Sequence, residues 1–562
     1  MVATGNGRTL VPTNPTMLNS YCTRRGLRFP LIALSAAFAI SAAAQNALTI
    51  PPALTGPEYN LNMAPGTVQY NAGNATPTAG YNGAILGPTL IMSKGEFVTL
   101  NVTNNLGEDT TTHWHGMHVK PSDDGGPHTV IPAGTTWSPD FRVRDTASTM
   151  WYHPHLHEHT FDQVNSGLAG MILVRDNVET NAGLPMTYGV DEFPLIVQDK
   201  SFTGNNSFGG GGLGDTYMVN ATLNPFLSVP SQMVRFRILN ASAERAYHLG
   251  FSDNRSYSVV GADGGLLGAP TNVTRATLMP GERLDIVVDF SANNGTTLNL
   301  MNYAATLANT LPGRAGGPGG NNPLNGQDLS LLEIRVGAQS ANPVTALPSN
   351  IWTLERLYET NATVTRTIEM TGGGQGNPFS LDNQAYNGSR MDQTVLLNTV
   401  EIWSIVNRTG AAHPFHIHDI QFFILDRTRE PIAPHETGKK DTVIVHGNET
   451  VRFITEFPLH NDTEVPYMYH CHILPHEDGG MMGQFIVVDP ASQLVSLTPG
   501  TADMTLRWSK NLSASLFNLQ TAGTVTETFT NVNSTPTLVN DRNQVIWNVD
   551  KDYRFFRLNP VQ

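Results

Sequence analysis

Cysteine is almost missing from this chain. Its 562 residues include two, Cys22 and Cys471, and the first lies in a stretch that reads as an export signal. Arg24, Arg25 and Arg28 precede an apolar run over residues 31–44, which closes on the small-residue site Ala42-Ala43-Ala44. Cleavage there makes Gln45 the first mature residue and leaves Cys471 as the one thiol, so an internal disulfide is excluded. Oxidising compartments usually permit disulfides, so a single retained thiol points to a chemical use. Charge is also scarce, at 14% of residues, and 47 acidic residues outnumber 33 Lys and Arg. The formal net charge of −14 falls to −18 without the four arginines of the signal. That balance excludes a nucleic-acid partner, which needs a basic footprint. The apolar run is too short to span a bilayer, and no membrane span is expected in the mature chain.

Turn-forming residues are abundant instead. With 52 Gly and 36 Pro, the composition suits an all-β protein of many short strands. One pattern recurs along it. Val102-Thr103-Asn104-Asn105, Trp151-Tyr152-His153-Pro154-His155 and Gly170-Met171-Ile172-Leu173-Val174 are echoed by Ile405-Val406-Asn407-Arg408, Met468-Tyr469-His470-Cys471-His472 and Gln484-Phe485-Ile486-Val487-Val488. The middle of the chain repeats the opening as Arg237-Ile238-Leu239-Asn240-Ala241, but its Ala246-Tyr247-His248-Leu249 holds no paired histidine. The expectation is an all-β fold: a signal over 1–44, Greek-key β-sandwich domains over 45–178, 179–340 and 341–490, and a small β module over 496–562. The outer domains would carry the chemistry, and the middle one would be a spacer that lets them meet. Ala315-Gly316-Gly317-Pro318-Gly319-Gly320-Asn321 is a flexible insertion late in the middle domain. Arg24-Arg25 suit a twin-arginine export route, which carries folded cargo.

The retained thiol lies in Tyr467-Met468-Tyr469-His470-Cys471-His472-Ile473-Leu474-Pro475-His476-Glu477, with Met481 further on. Thiolate, imidazole and thioether make a soft ligand set. Two histidines and a cysteine with a weak axial methionine are the ligand pattern of blue copper. Side chains alternate faces in a strand, so His470 and His472 would point away from Cys471 and serve other ions. Three clusters match them: His113-Trp114-His115, His153-Pro154-His155 and His413-Pro414-Phe415-His416-Ile417-His418. Each His-x-His pair shares one strand face. One pair alone is commonly a solvated edge; four pairs together are a nitrogen-rich setting for several copper ions.

In these motifs and their order the chain resembles the three-domain multicopper oxidases, the group of laccases, bilirubin oxidases and bacterial cuprous oxidases, over residues 45–490. The resemblance implies cupredoxin-like domains and four copper ions: one type 1, one type 2 and a type 3 pair. It implies His413, Cys471 and His476 as type 1 ligands with Met481 axial, and His113 and His416 as type 2 ligands. It places His115, His153, His155, His418, His470 and His472 around the type 3 pair. Electrons would enter singly at type 1, pass through Cys471 to its neighbouring histidines, and reduce O2 to water at the trinuclear cluster. Asp124 matches the family's acid beside that cluster and Glu477 its second proton donor, although Asp124 before Gly-Gly-Pro is also an ordinary turn residue. Asp441 is expected to orient His413. Asp419 stands where relatives often have Gly.

The expected activity is that of an exported, periplasmic or secreted, laccase-like oxidase of small phenols or aromatic amines. The alternative is a cuprous oxidase. Family members of that kind carry a methionine-rich insert and an Asp and Met shortly before His-Pro-Phe-His; here Arg408-Thr409-Gly410-Ala411-Ala412 has neither, and Met370 is isolated. Bilirubin oxidase shares the same ligands. A metal-free binding protein on the same fold is the competing class. The histidines outside the motifs, among them His118, His157, His159, His248 and His446, are expected in surface or structural roles. The C-terminal module resembles small fibronectin-like modules of exported bacterial proteins and would be a spacer or an attachment device.

Overall fold

The computed structural model describes residues 45–489 except Gly319 and Gln375, and 496–499, 503–512, 517–523, 526–532, 534–540, 542–548 and 555–560 of the C-terminal stretch. The expected export signal, with Cys22 and its arginines, lies outside the described residues.

Period-two alternation builds the first sandwich. In Glu58–Val68, Tyr59, Leu61 and Met63 are buried while Glu58, Asn60 and Asn62 are exposed. Phe97–Asn104 buries Val98, Leu100 and Val102 in the same rhythm, so each strand gives one face to the core. The two run parallel, Leu61 opposite Val102. The other sheet is ordered Ala53–Thr55, Thr89–Ser93, Gly170–Arg175, Ser148–His153, His113–His115. Tyr59, Leu100, Trp114, Tyr152 and Ile172 share the core of this sandwich.

The second sandwich pairs a seven-stranded with a six-stranded sheet. Asn46–Ala47 joins it as a parallel edge beside Pro225–Phe226, so the described chain starts on the second sandwich before entering the first. Polar contacts tie these two units together. Arg175 of the first sandwich donates to Glu192 of the second at 2.8 Å and Arg237 of the second to Thr149 of the first at 3.1 Å, giving the buried charges the partners that burial demands. The third sandwich has two five-stranded sheets. One of them is ordered Gln393–Leu396, Met482–Val488, Asp462–Cys471, His413–Ile417, Thr442–Val445 and carries the C-terminal histidine motifs.

Among the described residues, the C-terminal module holds a four-stranded and a three-stranded sheet. Its core is shared. Leu506, Trp508, Phe517 and Leu558 pack with Ile486 and Val488, whereas Phe485 and Val487 of the same strand face the third-domain core. One strand thus serves two cores through its alternating faces. Asn511 also donates to the Thr463 carbonyl at 2.6 Å, docking the module on the strand that ends at Cys471.

Candidate metal centre

Register explains how the motifs converge. Ser148–His153 pairs antiparallel with His113–His115, His153 opposite His113. Asp462–Cys471 pairs with His413–Ile417, His470 opposite His416 and Cys471 opposite Phe415. Strand alternation then sends Trp114 and Cys471 into their own domain cores and the histidines beside them to the domain interface. Four imidazoles come from the first domain and four, His416, His418, His470 and His472, from the third, each at most 1% exposed.

Hydrogen bonds set which nitrogen of each ring is free. His113 Nδ1 donates to the Asp124 carbonyl at 2.9 Å, His153 Nδ1 to the Pro154 carbonyl at 2.8 Å and His416 Nδ1 to the Asp441 carbonyl at 2.9 Å. That leaves the three Nε2 atoms as bare lone pairs, buried and without a hydrogen-bond partner among the described residues. Such orphans are costly unless something satisfies them, and a metal ion does. His155 Nε2 lies 3.1 Å and His418 Nε2 3.4 Å from His470 Nε2. Two lone pairs do not bond to each other. Nitrogens about 2.0 Å from one metal ion, at angles of roughly 100–115°, are spaced about 3.1–3.4 Å apart. Three of the five groups that could hold an ion, with ligand atoms within 4.8 Å of one another, are His115, His153 and His472; His155, His418 and His470; and His113 and His416 with His115. Burial, then the charge of neighbouring imidazoles, holds His153, His418 and His472 well below the ordinary imidazole value. The rings stay neutral, the form that binds metal.

A fourth group joins His413, Cys471 and His476. Its Nδ1 atoms lie 3.1 Å apart, and Cys471 Sγ lies 3.4 and 3.7 Å from them. Burial pushes the Cys471 thiol up, so metal entry must displace its proton. Met481 is fully buried in the same core, and its carbonyl accepts from Cys471 N at 3.0 Å. His413 is oriented by Thr409, whose Oγ1 lies 2.8 Å from Nε2. Asp441 does not orient His413, contrary to the sequence expectation. Thr442 pairs opposite His416, which puts Asp441 at the cluster end of that strand, 3.1 Å from His115 Nε2. Although burial pushes its carboxyl up, the Arg283 guanidinium holds Asp441 well below the ordinary carboxylate value.

Two carboxylates flank the histidine cluster. Asp124 Oδ2 accepts from His418 Nδ1 at 2.7 Å, and its Oδ1 lies 3.4 Å from His113 Nδ1, so one acid bridges both domains. Gly125 makes this turn possible: it has φ +78°, and a Cβ there would lie 1.8 Å from the Thr112 carbonyl. Glu477, fully buried, lies 3.4 Å from His155 Nδ1 and 3.2 Å from His470 Nδ1. Burial raises it, with His155 opposing. Asp419 has φ +67°, which accounts for a glycine preference there.

Above His413 and His476 opens a cavity of about 440 Å³. Thr409, Gly410, Ala411 and Ala412 line it, and so do Phe379, stacked 3.8 Å from His476, and Glu244. Pro318 of the glycine-rich insertion lines it too, as does Arg314 just before that insertion. Among the described residues no methionine lines it, and Met370 is wholly buried in the core. Glu244 had no signal in the sequence. Burial, then the charge of Asp199 against that of Arg245, lifts its carboxyl to about 7. The middle domain is therefore more than a spacer, since it supplies Glu244 to the cavity and Arg283 to the cluster. His157 packs against Tyr386 at 4.7 Å and does not line the cavity.

Family profiles described as multicopper oxidase match residues 62–179, 151–311 and 359–491. The chain belongs to the multicopper oxidase family. The multicopper oxidase mco of Staphylococcus haemolyticus is 33% identical over 441 residues, 77% of this chain and 88% of that protein. The cell division protein FtsP of Salmonella typhimurium is 31% identical over 491 residues, 84% and 100% of the two chains. Among solved structures, the laccase-like multi-copper oxidase CueO from Ochrobactrum sp. matches at TM-score 0.71 and 33% identity over 78% of this chain and 100% of that one. The Campylobacter jejuni multicopper oxidase, described as a metallo-oxidase, matches at 0.67 and 26% over 79% and 96%.

Proposed function

We propose that this multicopper oxidase is a four-copper, exported, laccase-like enzyme that couples one-electron oxidation of small aromatic donors to the four-electron reduction of O2 to water. One observation supports the copper reading: the histidines and the cysteine gather into groups with ligand atoms within 4.8 Å of one another, and the buried Nε2 atoms of His113, His153 and His416 have no hydrogen-bond partner among the described residues. His413, Cys471 and His476, together with Met481, would hold type 1; His113 and His416 type 2; His115, His153 and His472, and His155, His418 and His470, the type 3 pair. Bound copper supplies the electron transfer and the oxygen chemistry. The chain supplies the rest. Cys471 is joined through one peptide bond on each side to His470 and His472, so the two sites are linked covalently. Asp124 and Glu477 would relay protons to the cluster, where water formation consumes them. Glu244 accepts the proton that a phenol releases on oxidation.

Small residues before His413, Phe379 and the absence of methionine from the cavity lining support a planar organic donor. A cuprous ion needs soft ligands to hold it near type 1. The cell division protein relatives make a role other than oxidation the second class, and copper content of the purified protein separates a copper oxidase from a metal-free binding protein. The donor test compares kcat/KM for a dimethoxyphenol, bilirubin and Cu(I) under matched conditions. Preference for the phenol is expected. A clear preference for Cu(I), undiminished when Met370 is replaced, would make copper detoxification the better reading.

A further inference from the structure

The middle domain reaches the cluster through the turn Met279-Pro280-Gly281-Glu282-Arg283. Arg283 is fully buried. Its Nη1 donates to Asp441 Oδ1 at 2.7 Å and its Nη2 to Asp441 Oδ2. Nε donates to the Thr149 carbonyl at 2.9 Å and Nη2 to the Asp263 carbonyl at 3.1 Å. This is a bidentate fork, the geometry that fixes the plane of a carboxylate as well as its position. A Cβ on Gly116 would lie 2.8 Å from both Arg283 Nη2 and Asp441 Oδ2, so glycine leaves room for the fork.

Asp441 in turn touches two cluster histidines. Its carbonyl accepts from His416 Nδ1, and its Oδ1 lies 3.1 Å from His115 Nε2. Arg283 Nη1 is 3.0 Å from the same Nε2. Were the guanidinium the donor there, the His115 proton would sit on Nδ1, which is buried without a partner among the described residues. Asp441 Oδ1, held by Arg283 Nη1 and 3.1 Å from His115 Nε2, accepts the Nε2 proton instead, and Nδ1 is left bare. His115 is thus reversed relative to His113, His153 and His416, whose Nδ1 atoms are tied to carbonyls.

We propose that Arg283 is a positioning residue for the trinuclear site: by clamping Asp441 it holds His115 in the Nδ1-ligating tautomer and so sets occupancy of the type 3 position shared by His115, His153 and His472. This rests on the ligand reading above. The test uses the full chain, copper-loaded, with Arg283→Gln, Asp441→Asn and the double variant. In Asp441→Asn the amide oxygen keeps Arg283 Nη2, the amide NH2 takes the place of Oδ1 and faces Arg283 Nη1 and His115 Nε2, and the imidazole proton moves to Nδ1. Each single variant should lose about one copper ion per chain. EPR-detectable copper should rise, because the remaining type 3 ion has no spin-coupled partner, while the blue absorbance stays. The double variant should lose no more than either single one. A full copper complement with an EPR-silent pair in both single variants overturns the proposal. So does equal loss of blue absorbance and cluster copper with a lowered Tm of the copper-free protein, which marks a general structural role. If Arg283→Gln does not fold, the near-isosteric Asp441→Asn decides alone. A wild-type protein that binds no copper defeats the ligand reading and this inference together.

Discussion

Replacing Glu244 by Gln removes one proton acceptor from the donor cavity and changes little else, since the two side chains have nearly the same shape. Burial and Asp199 lift the Glu244 carboxyl from 4.5 to about 7. At about 1.4 kcal/mol per pKa unit, that shift is worth roughly 3 kcal/mol in the folded protein. A carboxyl raised on folding contributes stability that is present below its unfolded value and lost as pH rises through its folded value. Wild type should therefore lose up to about 3 kcal/mol through this group between pH 4 and pH 8, and Glu244→Gln should not. Chemical denaturation at the two pH values reads the difference: Glu244→Gln gains on wild type as pH rises. The same titration governs turnover. Only the carboxylate accepts a phenolic proton, so wild-type kcat/KM for a phenol should climb through pH 7. In Glu244→Gln it should lie on the order of 10²-fold lower at pH 8, without the climb. A one-electron donor that releases no proton should be oxidised equally by both proteins. Equal loss for the two donors, or a stability difference that ignores pH, would refute the reasoning.

Asp124→Asn removes a proton donor and no ligand, so anaerobic bleaching of the blue band should be unchanged while aerobic re-oxidation slows on the order of 10²-fold; unchanged re-oxidation would reduce Asp124 to a turn residue. Ending the chain after residue 489 uncovers Ile486 and Val488, now 0% exposed, at a cost of about 1.5–3 kcal/mol each. Tm should fall and copper retention with it, and an unchanged Tm would show that the shared core contributes nothing. Gly125→Ala forces a Cβ against the Thr112 carbonyl at a positive φ and should destabilise the first domain by at least about 1 kcal/mol, read as a Tm loss; a neutral result would mean that the turn relaxes freely.

Much of the centre was legible because strand alternation is a local rule. His470-Cys471-His472 alone shows that sulfur and imidazoles face opposite ways, and the four His-x-His pairs show where nitrogen must gather. How six of the histidines divide into two groups of three was not legible, since His115 and His153 join His472 only after two distant domains dock. Asp441 was assigned to His413 on plausibility; the register that puts Thr442 opposite His416 is a tertiary fact. Glu244 and Arg283 come from a domain without paired histidines, so nothing local marked them. The C-terminal module read as separate because the alternation in Met482–Val488 does not say that both faces are covered.

The most direct test is copper itself. Metal analysis and the visible spectrum of the purified, copper-loaded chain, beside Cys471→Ser, should show about four copper ions per chain and a blue band in wild type. The variant should remain folded with about one ion fewer and no blue band. A copper-free wild-type protein, or a blue band that survives in Cys471→Ser, would contradict the account.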